Sequence, residues 1–254
     1  IADSASNVIY PFDIVNQVLG LPITVGAGPV GLVFVGNGTL LYVACVSDPN
    51  IYEVNPTTDL VVATLLLTNT ITPQPTALSV SPDGQTAYVG DSAANNVIYI
   101  IDVLNNLSTG TIAVGDTAPL LMPITADGAF LYYPQINTDQ VSVIDLSTNT
   151  VIATPSLPPG TSPASAAITP DSQTVYVTGI TSTDLSPIDV ATNTVGTPIP
   201  IGTFSSGIAI TPDQAPQAQL AASVNGSTVD FDASQSVAVT GIIQSYIWDF
   251  GDGS

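Results

Sequence analysis

Thr169-Pro170-Asp171-Ser172-Gln173-Thr174-Val175-Tyr176-Val177 joins a turn that carries its own side-chain acceptor to a short run of β-forming residues. Three earlier stretches repeat the arrangement. Ser81-Pro82-Asp83-Gly84 precedes Tyr88-Val89, Thr125-Ala126-Asp127-Gly128 precedes Tyr132-Tyr133, and Val35-Gly36-Asn37-Gly38 precedes Tyr42-Val43. A fifth turn follows at Thr211-Pro212-Asp213-Gln214, and the intervals between the last residues of successive turns are 46, 44, 44 and 42. Outward from the turn each unit continues in the same way. A strand such as Thr174-Val175-Tyr176-Val177 is followed by one ending in Asp, as in Val141-Ser142-Val143-Ile144-Asp145. A Thr/Asn turn, a third strand such as Val151-Ile152-Ala153-Thr154 and a fourth returning to the turn complete the unit. Val, Ile, Thr and Tyr favour pleated, half-buried surfaces, and no 3.6-residue apolar period competes with this reading.

Four short strands in every forty-odd residues predict an all-β fold, a β-propeller of four-stranded blades. One such sheet cannot bury both of its faces, so the units are expected to stack. With the strand that enters each Pro-Asp-Gly turn innermost, Ile1-Ala2-Asp3 reads as the tail of a second strand, with residues 8–15 and 19–25 as the third and fourth. Residues 207–211 then read as an innermost strand that would complete this opening unit. Five blades are visible on that count. The alternative is that the chain is part of a seven-bladed ring.

Tyr42-Val43, Tyr88-Val89 and Tyr176-Val177, the Val-Ile-Asp and Thr-Asn-Thr segments and the Ile-Thr-Pro-Asp turn together resemble the YVTN-type β-propeller repeats of prokaryotic surface-layer proteins. The resemblance covers about residues 1–214 and departs at Tyr132-Tyr133-Pro134 and at Thr178-Gly179. It implies a seven-bladed fold on the cell surface. Related propellers include lactonases and copper or quinone enzymes, whose chemistry depends on His, Arg or metal ligands that this chain lacks.

Residues 1–214 are assigned to the propeller, and residues 215–219 form a Pro-containing linker. Residues 220–254 hold Val229-Asp230-Phe231-Asp232 and Tyr246-Ile247-Trp248-Asp249-Phe250-Gly251-Asp252-Gly253, an aromatic strand closed by a Gly-Asp-Gly turn. This segment is similar to the N-terminal part of a PKD domain, an immunoglobulin-like β-sandwich of surface proteins. A partial sandwich leaves its aromatics without an opposing sheet, so the natural chain is expected to continue; the alternative is that a neighbour supplies the missing strands.

Composition excludes more than any motif adds. The chain has no Lys, Arg or His against 20 Asp plus Glu, a formal net charge of -20. It therefore repels nucleic acid and anionic lipid, and no nucleic-acid partner and no direct membrane insertion are expected. A hydrolytic Ser would lack its base, and copper or zinc would lack imidazole. Cys45, the single cysteine, lies in the strand-like Leu41-Tyr42-Val43-Ala44-Cys45-Val46 and reads as a buried, inert thiol. No run of about 18 apolar residues is present.

Asp83, Asp127, Asp171 and Asp213 occupy one repeated turn, and Asp102, Asp145 and Asp189 one repeated strand end, where a carboxylate bonds the local backbone. A catalytic pair should instead break the repeat. Asp91, Asp116, Asp139 and Asp184 do so, but nothing in the sequence links them. No catalytic residue and no cofactor is assigned. Calcium is the metal the composition favours, and Asp249 and Asp252 are its weak candidates, without calcium-hand spacing. Asn37-Gly38-Thr39, Asn106-Leu107-Ser108 and Asn225-Gly226-Ser227 are glycosylation triplets. The expected function is that of an extracellular or cell-surface structural or adhesive protein, a surface-layer or filament component. Its expected partners are copies of itself, other surface proteins and glycans. The alternative is a carbohydrate-active or lactonase-like propeller enzyme using carboxylates.

Overall fold

The computed structural model describes residues 1–117, 119–202, 205, 207–211, 221–225 and 228–234. It is all-β, with a single 3-10 turn at Gly36–Gly38 among the described residues. The chain divides into two compact units, Ile1–Ile210 and Thr211–Ser254.

In the first unit, antiparallel sheets succeed one another along the chain. The first sheet orders β1 (Ala2–Asp3), β2 (Val8–Ile9) and β5 (Ile23–Thr24), with β3 (Phe12–Asp13) and β4 (Val18–Leu19) paired beside it. The expected strands over residues 8–15 and 19–25 are thus present, each broken into two pieces. The breaks fall at Pro11 and Pro22, which have no N–H to give to a ladder, while Gly20 N still donates to Pro11 O at 2.9 Å. The second sheet is a meander of β6 (Pro29–Val35), β7 (Leu40–Cys45), β8 (Asp48–Asn55) and β9 (Leu60–Leu66). The third repeats it with β10 (Pro75–Val80), β11 (Thr86–Asp91), β12 (Val97–Asp102) and β13 (Leu107–Ala113).

The fourth sheet orders β14 (Phe130–Gln135), β15 (Gln140–Asp145) and β16 (Thr150–Ala153). Along its leading edge Ile124 bridges Leu131, and Tyr132 N donates to Pro123 O at 3.0 Å. Pro134 does not break β14, in which it pairs with Val141. The fifth sheet orders β17 (Pro163–Ile168), β18 (Thr174–Gly179), β19 (Asp184–Asp189) and β20 (Thr194–Val195), with β21 (Ile199–Pro200) also on β19. Residues 207–211 carry no strand pairing, contrary to their reading as an innermost strand that completes the first sheet. Local alternation gave Ile208 and Ile210 a strand-like pattern, but a strand also needs a partner edge, and none among the described residues is paired with them.

Neighbouring sheets pack face to face, and the Tyr-Val pairs show how. Side chains alternate between faces, so adjacent residues of one strand enter different cores. Tyr42 of β7 packs with Ala87, Val89, Tyr99 and Ile101 of the third sheet, whereas Val43 packs with Ile9 and Ile23 of the first. Tyr88 of β11 packs with Leu131, Tyr133 and Ile144 of the fourth sheet. Tyr132 of β14 packs with Val175, Val177 and Ile188 of the fifth. Because both faces are covered, these strands read as nearly continuous apolar runs. Each large side chain so buried stabilises by about 1.5–3 kcal/mol.

The leading strands lie side by side. β6 runs against β10, Leu121 forms a parallel bridge with Ser165 of β17, and Ser79 Oγ donates to Met122 O. In the second unit, β22 (Ala221–Asn225) pairs antiparallel with β23 (Thr228–Asp232). The expected aromatic strand around Trp248, with Asp249 and Asp252, lies outside the described residues.

Candidate functional site

An antiparallel meander places its first-to-second and third-to-fourth turns at one end, and its second-to-third turn and the link to the next sheet at the other. Consecutive first turns touch, which fixes a common end for the sheets. Gly36 N donates to Gly84 O at 3.2 Å, Ala126 N donates to Ser172 Oγ at 2.9 Å, and a Cβ on Gly128 would lie 3.3 Å from Pro82. The acids sort between these two ends.

The repeating acids sit at the turn end. Asp83 Oδ1 accepts from Ser81 Oγ at 2.5 Å and Gln85 N at 3.0 Å. Asp127 accepts from Thr125 Oγ1 at 2.6 Å and Ala129 N at 3.0 Å, and Asp171 from Thr169 Oγ1 at 2.6 Å and Gln173 N at 3.0 Å. The same hydroxyl oxygens accept from Thr86 N, Phe130 N and Thr174 N, so each turn is closed twice. Asp102, Asp145 and Asp189 accept from Asn105 N, Ser147 N and Thr192 N at 3.0, 2.8 and 2.8 Å. Asp13 does the same for Asn16 and Val15, a member of the series that the pattern D-x-x-N/T would have revealed. Four residues after each of these acids comes a left-handed residue: Gln17, Asn106, Asn149 and Asn193, at φ between 47° and 56°. Asn tolerates this region at less cost than the 1–2 kcal/mol other L-residues pay there. Two of these Asn also tie sheets together, since Tyr42 Oη donates to Asn106 Oδ1 and Tyr132 Oη to Asn193 Oδ1 at 3.2 and 3.1 Å.

Hydroxyl donors at Ser81, Thr125 and Thr169 hold the carboxyls of Asp83, Asp127 and Asp171 below the usual carboxylate range, and Asn105, Ser147 and Thr192 do the same for Asp102, Asp145 and Asp189. A folded value below the unfolded one contributes stability that is complete above pH ~4 and is lost as pH falls through the lowered folded values. The thermal midpoint is therefore expected to hold from neutrality to about pH 4 and to drop below it. With no cationic side chain to pair, salt can only screen repulsion. Raising salt from about 0.01 to about 1 M, which shortens the screening length from roughly 30 to roughly 3 Å, should raise the midpoint at pH 7. Calorimetry across that range checks both, and a fall with salt would contradict the second.

The irregular acids occupy the opposite end, a relation the sequence did not disclose. Asp91 is fully buried and accepts from Gln74 N at 2.8 Å, Ala93 N at 2.9 Å and Asn95 Nδ2 at 2.5 Å. Asp116 accepts from Asn137 N and Nδ2, both at 2.6 Å. Asp139 accepts from Gly160 N at 2.7 Å and Ser162 N at 2.8 Å. Each holds the link between one sheet and the next against a second-to-third strand turn. Asn7 does the same with Gly28 N at 3.0 Å. Asp48, which accepts from Asn50 N and Tyr52 Oη at 2.9 Å, braces its own turn. Asp184, at the start of β19, pairs with Pro200 through the backbone. The carboxylates of Asp91, Asp116 and Asp139 thus meet backbone, Asn and hydroxyl donors, Tyr99 Oη at 3.4 Å from Asp91 among them, not one another. Among the described residues no three acidic or thiol groups come together in a set that could hold a metal.

Cys45 is buried, and burial, with the Asp48 carboxylate beside it, pushes its thiol up to about 11. A thiol so disposed is a poor nucleophile at neutral pH. The grooves are mostly apolar. One of about 590 Å³ lies between Ile9, Phe12, Ile23, Leu32, Phe34 and Leu41, and one of about 250 Å³ lies along the leading strands at Leu78, Met122, Ala166 and Ile208. No described helix is long and apolar enough to cross a membrane.

Residues 213–254 match the PKD domain family. None of the curated proteins matches the chain. Among solved structures, the chain is similar to Kuenenia stuttgartiensis hydrazine synthase, at 23% identity and a TM-score of 0.60 over 68% of this chain and 49% of that one. It is also similar to a functionally unknown protein from Desulfotomaculum acetoxidans, at 16% identity and a TM-score of 0.69 over 92% of this chain and 71% of that one. The chain thus spans about half the length of the hydrazine synthase chain. Both likenesses concern the fold.

Proposed function

We propose that the first unit is a β-propeller of the YVTN repeat type, carried with a PKD domain on an extracellular or cell-surface protein that acts by binding and assembly. The observation that carries this reading is the serial packing of like sheets with their leading strands side by side and their repeated Asp residues used in turns. Radial stacking is the arrangement in which such sheets cover both faces and keep their first strands together. PKD domains commonly occur in extracellular or surface proteins, which agrees with the location. Uncharged hydroxyl and amide side chains between sparse acids suit a surface that binds through hydrogen bonds and apolar contacts to copies of itself, to other surface proteins or to glycans.

Fractionation of the producing cells followed by electron microscopy of the envelope tests this. The expected result is the protein in the envelope or shed fraction, in a lattice or fibre built from ring-shaped units. Recovery from the cytosol, or turnover of a polysaccharide or lactone abolished by replacing a single irregular acid such as Asp184, would overturn it in favour of an enzyme.

A further inference from the structure

The turn at Gly36–Gly38 breaks the rule its counterparts obey. Asn37 stands where Asp83, Asp127 and Asp171 stand in the following sheets, and Val35 stands where those turns have a hydroxyl. In the other three turns the acid is consumed by the hydroxyl before it and the amide after it. The Asn37 side chain forms no hydrogen bond with any described residue. It is exposed, and its backbone, at φ 57° and ψ 37°, projects it from a left-handed corner. The next residue is equally open. A Cβ added to Gly38 would meet nothing within 4 Å. On the other side, a Cβ added to Gly84 would come within 3.1 Å of Asn37 Oδ1, so the carboxamide oxygen faces the neighbouring turn.

Asn37 is also the first residue of an Asn-Gly-Thr triplet, and Thr39 is exposed, its Oγ1 donating to Gly36 O at 2.7 Å. The second triplet supplies the contrast. Asn106 is half-buried at a third-to-fourth strand turn, and its Oδ1 accepts from the fully buried Tyr42. Its amide is thus already used in an inter-sheet contact, which a group added at Nδ2 would have to leave in place. The third triplet begins at Asn225, which lies outside the described side chains.

We infer that Asn37 is an N-glycosylation site and that Asn106 is not. A position that leaves the repeat, gives up its structural hydrogen bonds and keeps an exposed carboxamide next to a Thr fits modification better than turn closure. In the reaction, Asn37 Nδ2 bonds to the anomeric carbon of an oligosaccharide carried on a lipid phosphate. The carbon–oxygen bond to the phosphate breaks, the lipid phosphate leaves with that electron pair, and the nitrogen gives one proton to the transferase. The product is neutral at Asn37, so the turn gains no charge. This inference rests on the surface location proposed above.

Mass spectrometry of protein isolated from the cells that make it is the test. Trypsin has no Lys or Arg to cut, so chymotrypsin is used, which releases residues 35–42 after Phe34 and Tyr42. The expected result is a glycan mass on that peptide, its complete loss in Asn37→Gln and in Thr39→Ala, its retention in Thr39→Ser, and an unmodified peptide around Asn106. The thermal midpoint of the Asn37→Gln protein should match that of deglycosylated wild type. A bare Asn37 in protein recovered from the envelope would overturn the inference while leaving the surface reading intact. A bare Asn37 in cytosolic protein would overturn both, and a glycan on Asn106 with Asn37 bare would reverse the assignment.

Discussion

Replacing Asp91 by Ala is expected to lower the free energy of unfolding by about 2–4 kcal/mol, because it removes at once an acceptor that three donors share and leaves the buried Ala93 N unpaired. Gln74 N, Ala93 N and Asn95 Nδ2 all give their protons to this fully buried carboxylate. Each buried donor left unsatisfied costs about 1–3 kcal/mol, and relief of one negative charge in a chain of -20 recovers only a fraction of that. Asp91→Asn should cost less, since its oxygen can still receive Gln74 N and Ala93 N while its amide faces the Asn95 amide. Asp83→Ala, in an exposed turn where the acid has two local partners, should cost about 1 kcal/mol. Urea unfolding of the three variants gives the ranking. Equal losses for Asp83→Ala and Asp91→Ala would mean that the link entering the third sheet is not held by its acid.

Gly31→Ala should be comparably damaging, by about 3 kcal/mol or more, for a reason of shape alone. Gly31 lies in β6, and a Cβ there would overlap the carbonyl oxygen of Thr76 in β10. The obstacle is backbone, so no rotamer change relieves it, and the leading strands of the second and third sheets would have to separate. Gly179, at the end of β18, is a tight site of another kind: its Cβ would overlap Thr161 O in the link that enters the same sheet. Gly110 in β13 is the control. A Cβ there meets nothing within 4 Å, and Ala should be neutral or stabilising by up to about 1 kcal/mol through the unfolded chain. Thermal unfolding of Gly31→Ala and Gly110→Ala separates the cases, and a tolerated Ala at position 31 would show that the leading strands do not approach as described.

Much of this was legible in the residues. Val141-Ser142-Val143-Ile144-Asp145 announced a strand and the acceptor that ends it, and β15 spans Gln140–Asp145 with Asp145 bonded to Ser147 N. The paired strands of the first sheet were expected within a few residues, and only the prolines that divide them moved the boundaries. The strand expected over residues 207–211 was not found, because alternation specifies which residues can pair but not which edge is offered to them.

The all-β character and the role of the turn acids were determined by the sequence alone, the first because apolar alternation and β-forming residues mark each strand, the second because its bonds join residues two to five apart: Asp83 with Gln85, Ser81 with Thr86, Asp102 with Asn105. The fate of the irregular acids was decided by the tertiary structure. Gln74 reaches Asp91 across 17 residues, Asn137 reaches Asp116 across 21 and Ser162 reaches Asp139 across 23, and no short-range pattern encodes such partners. Only the packing of one sheet against the next brings those links to the carboxylates and turns three apparently unrelated positions into features of one end of the first unit.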